Sequence, residues 1–386
     1  MVELLKLILR NSLRHRLRTT LTVVGMAIAI LAFCILRTVV EAWYGGVAAS
    51  APNRLVTRNA VSLIFPLPIA YRQKISQVAG VSQVAYGNWF GGVYIDERQF
   101  FPRMAVGPAN FFDLYPEFVV PPEHLKDFFR QRNAAIAGRK IVEQYGWKLG
   151  DTIPLTGNIY PGDWQFVLRG IYRGATKSTD ETQFFFRWDY LNEKVKQIMP
   201  LRADRVGWYV VQISQPSQAA QISLEIDAMF KNSLAETLTE TEKAFQLGFV
   251  AMTEAIVIAI RVVSFVVIGV ILAVLANTMA MTARERMWEY AVLKTLGFGN
   301  RFLAVLIAGE SVTIAIFGGI LGIALSFPAA LIFAAKLGTL LPVFQISRNT
   351  VLLGFTISWV IGLLAAIVPV FNAIRVRVVE ALRHIG

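Results

Sequence analysis

"IVIAIRVVSFVVIGVILAVLANTMAMTARERMWEYAVLKTLGFGNRFLAVLIAGES", residues 256–311, decides how this chain is to be read. A helix that crosses a bilayer needs about 20 predominantly apolar residues. Residues 256–279 supply such a run, and a second begins at 303 and continues to 333. Between them lies a short segment dense in charge. It reads as a helix over 283–296 stopped by Gly297 and Gly299. A loop that only reverses direction needs few residues. Arg286 stands three before Glu289, close enough to pair on a helix surface, while Glu285 stands four before it and repels. Two readings are open from the pattern: a cytoplasmic lever that docks a soluble partner, or an interfacial helix packed only on lipid.

Working outward, two further runs are long enough to span, at 19–43 and 350–374. The chain has 386 residues, is 55% apolar and has a mean hydropathy of +0.51. Its formal charge is +12. Residues 1–18 carry +4, residues 281–302 carry +2 and residues 375–386 carry +2. With four spans these three segments fall on one side, which the positive-inside bias makes the cytoplasm. A cleaved signal peptide is the alternative for the first span, with Ala49-Ser50-Ala51 as its cleavage pattern, but the basic region and apolar run are longer than such peptides favour.

The expected organisation is an α-helical membrane protein with four transmembrane helices, plus an α+β extracytoplasmic domain inserted between helices 1 and 2. Residues 1–18 form a cytoplasmic interfacial helix, with Leu5, Ile8, Leu9 and Leu13 on one side. The first span is 19–43, the inserted domain with its stalk is 44–255, and 256–386 form the C-terminal membrane domain. Within the insert, period-two alternation predicts strands in 81–95, 164–174 and 208–214. Residues 132–155 read as a helix ended near Gly146, then a turn at Gly150-Asp151, then a strand. Pro216 opens an amphipathic helix to 233, with Ala219, Ile222, Ile226 and Met229 on one face. Residues 234–255 are also helix-compatible, so one proline-free helix from 217 to 280 is expected as a stalk.

Residues 44–250 carry 22 Lys and Arg against 19 Asp and Glu, which argues against a nucleic-acid surface. There is no P-loop, no nucleophile elbow and no zinc-protease motif, so neither nucleotide hydrolysis nor other catalysis is expected of this chain, and no cofactor. His15, His124 and His384 are far apart and give no metal-ligand spacing, and the single Cys34 forms no internal disulfide. Ionisable groups inside the spans are Arg37, Arg261 and Glu310. The two arginines lie toward the outer ends, where snorkelling accounts for them. Glu310 is about two turns inside its span, and reads either as a structural ion pair or as a group that moves during work. Gly318, Gly319 and Gly322 contain a small-xxx-small pattern, which serves packing within one chain or between two.

Residues 283–311 resemble the signature of the FtsX/MacB-type ABC permeases: Arg-x-x-Glu, an apolar, a small and an apolar residue, Leu-[Lys/Arg]-small-Leu-Gly, then a Glu early in the next span. Arg286, Glu289, Ala291, Leu293, Lys294, Leu296, Gly297 and Glu310 fill it. "MAVGPANFFDLYPEF" (104–118), 132–155 and 164–174 resemble the MacB-like periplasmic core domain, and the C-terminal "NAIRVRVVEALRHIG" resembles family ends. Tyr290 in place of an aliphatic residue, and the bulky Trp288, depart from the pattern. The resemblance implies that 283–297 is a coupling helix seated in a groove of a separate ATPase chain, with Arg284, Arg286, Glu289, Leu293, Lys294 and Gly297 as coupling residues. It implies mechanotransmission: ATP-driven closure moves the coupling helices and the outside domains follow. It implies a second permease subunit, identical or related, an optional periplasmic adaptor, and a bacterial inner-membrane location with both termini cytoplasmic. Export or extraction of a lipid, lipoprotein, peptide or hydrophobic compound is the leading expectation. The alternatives are a signalling protein that activates an outside partner without transport, and a membrane-anchored binding module unrelated to ABC systems.

Overall fold

The computed structural model describes residues 2–12, 14–107, 109–337 and 343–375. The expected C-terminal basic segment beyond 375 lies outside the described residues. The chain divides into two compact units, one from the described residues of Met1–Glu41, Glu254–Lys336 and Phe344–Gly386, the other from Ala42–Thr253 with Leu337–Val343.

In chain order the helices are α1 (Val2–Ser12), α2 (Arg16–Trp43), α3 (Gly45–Ala49), α4 (Tyr71–Ile75), α5 (Phe111–Leu114), α6 (Pro122–Arg130), α7 (Arg139–Tyr145), α8 (Trp188–Ile198), α9 (Ala219–Met229), α10 (Glu242–Met252), α11 (Glu254–Glu285), α12 (Met287–Thr295), α13 (Asn300–Leu337) and α14 (Arg348–Arg375). Four of them, α2, α11, α13 and α14, are long and apolar enough to cross a membrane. Along α11 only one stripe is buried, including Val257, Ser264, Ile271, Leu275 and Met279, and the remaining faces stay exposed. Ile271, Leu275 and Met279 of that stripe meet Met26, Ile30 and Phe33 of α2, Ile314 of α13 and Ile361 of α14 in one cluster. Glu41, at the end of α2, pairs with Arg37 at 3.1 Å and accepts from Thr350 Oγ1 at 3.0 Å. Arg261 is exposed on α11.

Gly318, Gly319 and Gly322 of α13 face neighbouring helices of the same chain. A Cβ on Gly318 would lie 2.5 Å from Met26 Cβ, one on Gly319 2.2 Å from Ser358 Oγ, and one on Gly322 2.5 Å from the Ala27 carbonyl oxygen. Backbones this close leave no room for a side chain. Gly322→Val is therefore expected to push α2 and α13 apart at a cost of about 1–3 kcal/mol or more. Gly269→Val, at a glycine of α11 with open space around it, is the control. Thermal melting of the solubilised chain should separate the two, and equal melting would contradict this packing.

The α/β unit is built on a ten-stranded sheet. Its strands are β1 (Arg54–Asn59), β3 (Val81–Trp89), β4 (Arg103–Val106), β5 (Phe118–Val119), β6 (Ala134–Gly138), β7 (Thr152–Gly157), β8 (Gly162–Gly174), β9 (Phe184–Arg187), β11 (Trp208–Ile213) and β12 (Thr237–Thr241); β2 (Leu67–Pro68) and β10 (Arg205–Val206) pair separately. The order is β12-β1-β11-β3-β4-β9-β6-β8-β5, with β7 paired to β8. Both faces are covered. Alternation in β9 sends Phe184 and Phe186 into one core with Trp164 and Phe166, and Phe185 into the other with Phe111 and Phe128. Helices α4, α7, α8 and α9 supply the first core, α5 and α6 the second.

Three expectations change. Residues 134–138 are a buried strand and not the start of a helix, because β6 pairs with both β8 and β9; only Arg139–Tyr145 is helical, ended by Gly146 at φ +67°. The continuous helix over 217–280 does not form. Residues 216–218 are a short 3₁₀ turn, 237–241 pair with β1, and the helix ending at Met252 is separate from the one starting at Glu254. Thr237, Thr239 and Thr241 are β-branched and alternate, which suits a strand. On α9, Ala219, Ile222 and Ile226 are buried while Met229 is 42% exposed.

Candidate functional site

The charged segment between α11 and α13 is not one helix over 283–296. α11 runs on to Glu285, the backbone breaks at Arg286, and α12 follows from Met287 to Thr295. The end is a Schellman arrangement. Gly297 takes φ +90°, and the Phe298 N–H donates to the Leu293 carbonyl at 3.0 Å. A side chain at 297 would be strained there.

The break turns Arg286 inward. The residue is 5% exposed. Its Nη1 donates to both oxygens of Glu310 at 2.9 Å, and its Nε donates to Glu289 Oε2 at 2.9 Å. Its guanidinium lies 5.6 Å from the centre of the buried Tyr290 ring. A buried cation is costly unless paired and hydrogen-bonded. Here burial pulls the Arg286 pKa down, but the Glu310 and Glu289 carboxylates outweigh it and the pKa is raised.

The N-terminal segment closes over the same group. Ile8 is buried, and a Cβ on Gly309 would lie 2.6 Å from its Cδ1. Asn11 Nδ2 donates to Glu310 Oε1 at 2.8 Å. Arg14 reaches Glu289 Oε1 at 2.5 Å, and Arg18 grips both oxygens of Glu285 at 2.7 and 2.8 Å. Burial raises the Glu289 pKa, but the bonds from Arg286 and Arg14 pull it further the other way, so it lies below the ordinary carboxylate value. The contribution of this acid to folding is therefore present above its unfolded pKa and lost as pH falls through the lower folded value.

The remaining residues of the segment separate into two groups. Leu293 packs against the cluster of Ala283, Tyr290, Leu303 and Ala373, and Lys294 Nζ donates to the Ile374 carbonyl near the end of α14 at 2.8 Å. These fix α12 to the bundle. Facing out are Arg284, Trp288 (50% exposed), Leu296 (69%) and Phe298 (42%). Asn11, Arg14 and Arg18 were not singled out from the sequence as site residues, because their acidic partners stand more than 250 positions away. The available signal was charge complementarity between 1–18 and the acids at 285 and 289. Among the described residues no group of His, Cys, Asp or Glu is arranged to hold a metal.

Comparisons with known proteins fit this geometry. Residues 261–378, which contain most of α11 and all of α12, α13 and α14, match the FtsX-like permease C-terminal family. The α11–α14 arrangement and that match make the membrane unit similar to ABC transporter permeases of the FtsX/MacB type. Over its whole length the chain is similar to an ABC transporter permease of Methanocaldococcus jannaschii, 23% identical over 97% of this chain and 96% of the relative. It is also similar to the macrolide export ATP-binding/permease protein MacB of Bdellovibrio bacteriovorus, 31% identical over 33% of this chain, and to that of Shewanella oneidensis, 32% identical over 32%. The match spans 18% of the length of each MacB relative. Among solved structures, the periplasmic region of MacB from Actinobacillus actinomycetemcomitans is 11% identical with a TM-score of 0.39, over 53% of this chain and 95% of that one. The extracellular domain of the transporter YknZ from Gram-positive bacteria is 12% identical with a TM-score of 0.35, over 49% and 100%.

Proposed function

We propose that this chain is the non-catalytic permease subunit of an ABC complex, and that α12 couples it to an ATPase carried on a separate chain. The observation that carries the proposal is the construction of α12. A short helix with an exposed apolar tip is fastened to the bundle by a buried ion network, so a push on the tip reaches α11, α13 and α1 together. Interior groups this closely packed shift as a unit and do not deform continuously. The docking contact in this reading keeps Arg284 from the coupling residues that the resemblance implied and adds outward apolar groups. Arg286 and Glu289 are held inside the chain, and the outward groups Arg284, Trp288, Leu296 and Phe298 meet the ATPase. Aromatic and arginine side chains are the usual anchors of such contacts.

In this account the complex holds two permease chains, identical or related, in a bacterial cytoplasmic membrane with both termini inside. The α/β unit lies outside, and ATP-driven closure is passed to it for export or extraction of a lipid, lipoprotein, peptide or other hydrophobic compound. A periplasmic adaptor is compatible with this arrangement. The test is purification of the tagged chain from cells expressing the ATPase subunits of its own host. The expected result is a co-purifying ATPase whose hydrolysis rate changes on reconstitution with the permease. Recovery of the permease alone under mild extraction would sink the ABC reading and return the α/β unit to study as a binding module.

A further inference from the structure

The α/β unit contains a cavity of about 610 Å³ that the coupling account does not use. Its walls mix polar groups with six aromatic side chains, Phe111, Tyr115, Phe118, Phe185, Trp208 and Phe245. Its charged lining groups are Arg54, Glu117, Asp180 and Glu242, one cation against three carboxylates. The exposed Thr176 and Ser178 also line it, so the cavity opens to the surface. Lys177, in the same turn, is not part of the lining.

The single cation is already committed. Arg54 is 3% exposed. Its Nη2 and Nη1 donate to the two oxygens of Glu117 at 2.6 and 3.0 Å, its Nε to Glu242 Oε2 at 2.8 Å, and Nη1 also to the Leu114 carbonyl at 2.8 Å. The Tyr115 ring covers it at 4.2 Å. A guanidinium has five N–H donors, and these bonds occupy nearly all of them, so an entering anion finds no free donor there. The carboxylates retain unused lone pairs, and the lining is left with two formal negative charges. Unbalanced charge in a partly dehydrated aromatic cavity is unfavourable. An entering cation relieves it, and aromatic faces attract a cation while also covering an apolar body.

We propose that this cavity binds amphiphilic cations, molecules with a quaternary ammonium-like or phosphonium-like charge on a bulky apolar body. The proposal extends the transport account by naming a ligand class. It is measured without any ATPase, so its failure and a failure of ATPase coupling are separate results.

The probe is tetraphenylphosphonium, with tetraphenylborate as an ion of the same shape and opposite charge. Each is titrated against the full chain in nanodiscs of zwitterionic phospholipid, with empty nanodiscs subtracted. Saturable binding of the phosphonium and none of the borate is expected. Glu117→Gln removes one lining charge and is expected to weaken phosphonium binding about tenfold, the equivalent of about 1.4 kcal/mol. Glu117→Gln also disturbs an Arg54 pair, so Gln246→Lys is the second variant. Gln246 lines the cavity and has no hydrogen bond to the Arg54 group, and the added lysine is expected to weaken binding similarly while melting stays as wild type. Equal binding of both ions, absence of saturable phosphonium binding, or unchanged affinity in a folded Gln246→Lys chain each overturns the proposal.

Discussion

Arg286→Ala is expected to be among the most damaging single substitutions in the membrane unit, lowering stability by about 3–5 kcal/mol. The reason is asymmetry. The substitution removes two bonds of 2.9 Å to Glu310 from a carboxylate that is 3% exposed in its side chain and that Asn11 also reaches. Breaking one half of a buried pair costs more than removing both halves. The double variant Arg286→Met with Glu310→Met is therefore expected to melt closer to wild type than Arg286→Ala does. Arg286→Lys should be intermediate, since an ammonium cannot span Glu289 and Glu310 in the forked geometry of a guanidinium. Thermal melting of the solubilised chain checks the order. If the double variant melts below Arg286→Ala, the network is not held in the way described.

The second large effect concerns the tip. Trp288→Glu combined with Leu296→Glu is expected to abolish recovery of the ATPase while leaving melting within error of wild type. Both side chains are exposed, so their replacement leaves no cavity behind. Loss of a central aromatic anchor typically costs about 2 kcal/mol or more, which is about thirtyfold in affinity for one substitution. Glu289→Lys should fail differently. It places a cation beside Arg286 and Arg14, so it disturbs the fold of the segment as well as any docking. The pair of results separates a contact residue from a positioning residue.

The spans were legible because a lipid-facing helix must be apolar over about 20 residues, a constraint that tertiary context does not override. The α/β unit was legible only in part. Strands such as β8 carry their alternation in the sequence, with Trp164, Phe166 and Leu168 all buried. By contrast "AAIAG" at 134–138 is rich in alanine, the strongest helix former. It is a strand because it lies between β8 and β9 with every residue buried. A stalk through 237–241 was expected because the stretch lacks proline, but its alternating β-branched threonines suit a strand, and pairing with β1 makes it one. Within the site, the Arg286–Glu289 pair was legible from its spacing. The partnership of Arg286 with Glu310, 24 positions on, was open, and the bracing by Asn11, Arg14 and Arg18 was invisible to any local pattern. Of the coupling residues that the resemblance implied, Arg286 is buried at the break while Arg284 is exposed, and Trp288, Leu296 and Phe298 are exposed beside it.

The central claim is that the tip of α12 touches an ATPase. Photo-crosslinking tests it most directly, with a benzophenone amino acid placed at Trp288 or Leu296, and at the exposed Val262 of α11 as the control. In cells expressing the host's ATPase subunits, the account predicts a covalent permease–ATPase product from positions 288 and 296 and none from 262. Crosslinks from 288 and 296 to lipid alone would contradict it and leave α12 as an interfacial helix.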